Sequence, residues 1–131
     1  LSWFKNSPLL EMIQMAQQLG FKLILTTDHG TINVKNPSKV IGDRDTSLNL
    51  RYKTGRSLTY ESKEVLVFKD PKEVHLPSIN MSSSYIFAKG DLFFAYPNNY
   101  NHYVNYFRNT YQHGGVSLEE MIIPFVVFNP K

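Results

Sequence analysis

The sequence predicts an α/β fold from three observations: a well-bounded helix running straight into a short apolar strand, a middle of short β-like runs between turn residues, and a closing return to helix and apolar strand. Ser7-Pro8 opens the first helix as N-cap and N1 proline; Leu9, Leu10, Ile13, Ala16 and Leu19 follow at helical spacing, and Gly20 stops it. Phe21 to Thr26 is nearly continuous in apolar residues, as expected of a central strand covered on both faces. Between Thr31 and Phe94 the candidate strands are Ile32 to Lys35, Leu48 to Lys53, Glu64 to Phe68, Tyr85 to Ala88 and Leu92 to Tyr96. They read as an antiparallel elaboration on a parallel core, with Pro37, Pro71 and Pro77 at turns. Lys89-Gly90-Asp91 signals a hairpin joining the last two strands. Asn98 to Gln112, with Tyr103, Tyr106 and Phe107 on one face, reads as a helix. Ser117-Leu118-Glu119-Glu120 matches a capping box, and Met121 to Phe128 returns as a buried strand.

The 131 residues, 42% hydrophobic, 14% aromatic and 19% charged, describe one packed domain and exclude a disordered chain. With no cysteine there is neither a disulfide framework nor a thiolate ligand, so any metal must be held by His, Asp or Glu, and a reducing cytoplasm suits the chain. No apolar run approaches the ~20 residues that span a bilayer, so no membrane partner is expected. Net charge is +3, a mild excess that fits an anionic substrate and falls short of a nucleic-acid-binding tail. The chain opens on Leu1 and is apolar through Phe4, which suggests a piece of a longer protein.

Thr26-Thr27-Asp28-His29-Gly30 sits beyond the carboxyl end of the first strand, where open α/β sheets bind ligands. A carboxylate and an imidazole side by side suit a divalent cation, and Gly30 permits a sharp departure of the backbone. The plainer reading makes Asp28 a turn cap and His29 a surface residue. His113 precedes Gly114-Gly115 and a capped helix; it is either a second ligand or incidental to a glycine turn.

Thr-Thr-Asp-His-Gly (26–30) together with Gln-His-Gly-Gly-Val-Ser-Leu-Glu-Glu-Met-Ile-Ile-Pro (112–124) resembles the PglZ domain of the alkaline phosphatase superfamily. The stretch from Tyr96-Pro97-Asn98-Asn99-Tyr100 through Gln112 further resembles the effector half of PorX-type response regulators of Bacteroidetes, which follows a phosphoryl-receiver domain. The resemblance implies the C-terminal portion of an alkaline-phosphatase-like sheet sandwiched by helices. It implies two zinc ions in the intact parent domain, with Asp28 and His29 on the second metal and His113 on the first. Paired metals roughly 4 Å apart would activate the attacking oxygen and stabilise the leaving one. The family's nucleophilic Thr or Ser and its remaining ligands should lie upstream, so Thr26 and Thr27 read as strand-end residues rather than nucleophiles. A chain with three ligands for two metals is expected to be inactive alone.

The resemblance makes the parent a metal-dependent phosphodiesterase, the output domain of a bacterial two-component regulator with a phosphodiester or nucleotide substrate. A catalytically degenerate module that binds a signalling partner is the alternative, and a nucleic-acid-binding domain a third. A parallel sheet lacking strands exposes edges that invite homodimerisation. Arg44, Arg51, Lys53 and Arg56 could contact substrate phosphate or form a solvated strand face. His75 reads as a solvent-facing strand histidine and His102 as structural. Tyr100, Tyr103, Tyr106 and Phe107 could stack a nucleobase, but packing of the helix on the sheet explains them more simply.

Overall fold

The computed structural model describes residues 1–78 and 82–130. In chain order its elements are α1 (Ser2–Lys5), α2 (Pro8–Gln18), β1 (Leu23–Thr26), β2 (Ile32–Asn33), β3 (Asn36–Lys39), β4 (Tyr52–Gly55), β5 (Val65–Phe68), β6 (Ser84–Ala88) and β7 (Leu92–Ala95). Then follow α3 (Tyr100–Phe107), β8 (Tyr111–Gln112), α4 (Leu118–Met121) and β9 (Phe125–Phe128). The mixture is α/β, as expected. The chain divides into two units, Leu1–Asp28 with Ile123–Lys131 and His29–Ile122. Among the described residues no helix is long and apolar enough to cross a membrane.

In the first unit α2 begins as anticipated, with Ser7 extended at the N-cap and Pro8 at N1. The Ser7 hydroxyl does not cap α2; it donates to the Phe4 carbonyl at 2.8 Å. The helix ends in a Schellman motif: Gly20 at φ +73° lets its N–H reach Gln17 at 3.1 Å and the Phe21 N–H reach Ala16 at 2.9 Å. β1 pairs antiparallel with β9, Leu23 opposite Phe128 and Thr26 opposite Phe125. The expectation of buried strands here is corrected. β1 alternates half-buried and exposed residues, and β9 is exposed throughout. A two-stranded ladder with one helix beside it has too little surface to bury both faces.

The second unit holds the core. β4, β6 and β5 form an antiparallel sheet with β6 in the centre, β3 pairs parallel with β7, and β2 pairs antiparallel with β8. Successive side chains of β7 point to opposite faces, so Phe93 and Ala95 join Ile32, Val34 and Val104 while Phe94 joins Val40, Val65, Ile86 and Ala88. The turn at Lys89-Gly90-Asp91 is present, with the Leu92 N–H on the Lys89 carbonyl at 3.1 Å. It does not make the expected hairpin, because both edges of β6 are already taken by β4 and β5. Pro37 lies inside β3 rather than at a turn; among the described residues β3 pairs with β7 alone, an edge position that tolerates the missing N–H. His75 is exposed but not in a strand: it caps a 3-10 turn in the left-handed region at φ 57°. α3 is shorter than Asn98 to Gln112, because Asn109 at φ 64° breaks it before β8. Tyr100 and Phe107 pack on the core, whereas Tyr106 is 67% exposed.

Candidate functional site

His29 opens the second unit and follows Asp28, the exposed last residue of the first unit's leading segment. Within the second unit the His29 and His113 rings stack with centroids 3.8 Å apart and planes 13° from parallel. His29 Nδ1 lies 2.9 Å from the Gly30 carbonyl. A carbonyl only accepts, so in this hydrogen bond Nδ1 is the donor.

Glu120 brings the two histidine loops together. Its backbone carbonyl accepts the Gly30 N–H at 2.9 Å, and its carboxylate accepts the Gly115 N–H at 2.9 Å and the Ser117 N–H at 3.2 Å. The same carboxylate holds Arg51 in a fork, Nε on Oε1 and Nη2 on Oε2, each at 2.9 Å, while Arg51 Nη1 donates to the Leu92 carbonyl. Burial alone would raise the Glu120 carboxyl. Hydrogen bonds from Arg51, Ser117 and Gly115, with the Arg51 charge, outweigh burial and hold it below its ordinary value. Gly30 has no room for a side chain, since a Cβ there would strike the Glu119 carbonyl oxygen and come within 3.0 Å of that of Ile122. Gly114 adopts φ +99°, and Asn49 Nδ2 donates to the His113 carbonyl at 3.4 Å.

The basic quartet is split by this geometry. Arg44 and Arg56 are exposed. Arg51, expected as a substrate contact, is fully buried with its guanidinium committed to Glu120 and Leu92, and Lys53 is buried as well. Arg51 immediately precedes β4 and Lys53 lies on it, two residues apart, and both are buried, so half of the quartet is withdrawn from solvent. The Thr26 hydroxyl donates to the Pro124 carbonyl at 2.8 Å, a strand-end role. His102 is exposed on α3 and stacks on Tyr106, with centroids 6.3 Å apart. Glu120 was legible only as a capping residue. Its ion pair with Arg51, a distant cation on an alternating run, had no local signal.

A zinc ion needs three or four protein ligands. Among the described residues no group of three or more His, Cys, Asp or Glu could hold one. The histidine pair therefore does not complete a metal centre by itself.

The α/β architecture and this glycine-flanked histidine pair fit an alkaline-phosphatase-like protein. The chain belongs to the PglZ family: the family described as the BREX system PglZ alkaline phosphatase-like domain matches residues 4–128. It is thus a member of a phosphatase-like hydrolase family. No curated protein matches the chain.

Proposed function

We propose that Asp28, His29 and His113 are this chain's contribution to the two-zinc centre of a phosphodiesterase, Asp28 and His29 to the second metal and His113 to the first. The stacked His29 and His113 rings carry the reading, since residues far apart in sequence meet on glycine-bearing loops that one buried carboxylate anchors. Family membership supports the reaction class. Three ligands divided between two metals bind weakly, so the other ligands and the nucleophile come from outside these residues, and this chain alone is inactive. Of the basic quartet, Arg44 and Arg56 are exposed and would meet a phosphodiester or nucleotide. In the intact protein the domain serves as cytoplasmic output of a two-component response regulator, preceded by a receiver domain and able to dimerise.

His113→Ala in the intact protein should abolish hydrolysis of bis(p-nitrophenyl) phosphate while circular dichroism stays unchanged. Full turnover in that variant would overturn the site. The shortage of a three-ligand cluster among the described residues favours a second reading, a catalytically degenerate module that binds a signalling partner. Absence of turnover in the intact wild-type protein with added zinc would select it.

A further inference from the structure

Two cations of the second unit are buried at alternating positions, and they are treated differently. Arg51 has a carboxylate; Lys53, on β4 opposite Ile86 and only 2% exposed, has none within ion-pair distance among the described residues. Its Nζ donates to the Ser47 carbonyl at 2.8 Å and stands 4.9 Å from the centroid of the Tyr96 ring. A carbonyl and an aromatic face compensate a buried ammonium only in part. Burial accordingly lowers Lys53 to about 8.

Lys53 is also one of the residues lining a cavity of about 380 Å³ whose walls include Phe94, Tyr96, Tyr103 and Phe107. Asn99 lines it too, as the residue that starts α3. Asn99 holds the left-handed conformation, φ 55° and ψ 32°, and gives α3 no side-chain cap. The positive end of a helix dipole therefore abuts the same cavity as the unpaired ammonium. Strained backbone, a desolvated charge and aromatic walls in one concavity are characteristic of ligand sites. His29 and His113 are not among the lining residues, so the cavity is distinct from the proposed metal site.

We propose that this cavity binds a small planar aromatic carboxylate, its ring against Tyr103 and Phe107 and its carboxylate on Lys53 Nζ. The volume lies at the small end of ligand pockets, roughly 300–1,000 Å³. A single ammonium balances a monoanion, and a phosphate dianion would leave charge uncompensated in an apolar wall.

Calorimetric titration of the intact protein with benzoate, benzamide and phenyl phosphate tests this. Benzoate should bind about tenfold or more tighter than neutral benzamide, and Lys53→Met should erase that difference. In the wild-type protein the benzoate affinity should fall as pH rises above about 8, as the ammonium is lost. The other titratable groups lining the cavity are the Tyr96 and Tyr103 phenols. Equal binding of benzoate and benzamide, a pH-independent affinity, unchanged benzoate binding in Lys53→Met, tighter binding of phenyl phosphate, or no binding at all would each overturn the proposal.

Discussion

At Glu120 and Arg51 a buried ion pair also anchors both histidine loops, so its removal should be felt in stability and in site geometry. Breaking such a pair from one side leaves an uncompensated buried charge, a loss of about 3–5 kcal/mol. Arg51→Ala should lower the urea unfolding free energy by about that amount, and a change below about 1 kcal/mol would contradict the pairing. Because the Glu120 carboxyl is held below its ordinary value, its contribution is present above the usual glutamate range and is lost as pH falls through the folded pKa. Lys53 also has a lowered pKa, but for the opposite reason: the fold disfavours its charged form instead of favouring it. The unfolded chain holds its proton up to 10.5 and the folded chain only to about 8, so stability should rise with pH between those values. The full rise is on the order of 3 kcal/mol. Unfolding free energies of Lys53→Met measured across that window should lack the rise seen in the wild-type protein; equal slopes would count against burial of a charged lysine.

Elements position the site through backbone contacts that no single residue type announces. Gly30 sits where the chain after β1 passes α4, and its missing Cβ allows the N–H to reach Glu120. Gly30→Ala should therefore destabilise the second unit by about 1–3 kcal/mol through forced backbone displacement. The ring proximity of His29 and His113 should be lost with it, visible in the imidazole NMR shifts; unaltered shifts would mean that the close approach is not required. Helices and their stops were legible, because Pro8, Gly20 and the Ser117 to Glu120 pattern act within one turn of backbone. The strands β5, β6 and β7 were legible as apolar runs, but polar β3 was not, the run from Leu48 to Lys53 becomes strand only at Tyr52, and pairing was not legible. Lys89-Gly90-Asp91 carries the turn chemistry of a hairpin, and only the occupancy of both β6 edges, a nonlocal fact, excludes one. For the same reason His29 and His113 were identifiable as loop histidines while their stacking, which depends on Glu120 and Asn49, was not.

At the scale of the whole molecule the two units differ in how much apolar surface they remove from water. Every buried hydrophobic residue among those described lies in the second unit, where two clusters meet along β7. The first unit carries a comparably apolar ladder, Leu23 to Thr26 against Phe125 to Phe128, yet Ile24 is 53% and Phe125 67% exposed. Burial at ~25 cal/mol per Å² is the main term that offsets chain ordering, so a half-exposed two-stranded ladder resists opening less than a covered three-stranded sheet. Native-state hydrogen exchange should show it. Amides of β1 and β9 should exchange with opening free energies about 2 kcal/mol or more below those of β4, β5 and β6. Exposed apolar strands also bind other apolar surfaces, so the same segment should be the first to take up the dye ANS at low denaturant. Uniform protection across both units, with no dye binding before the main transition, would show that the first unit opens only with the second.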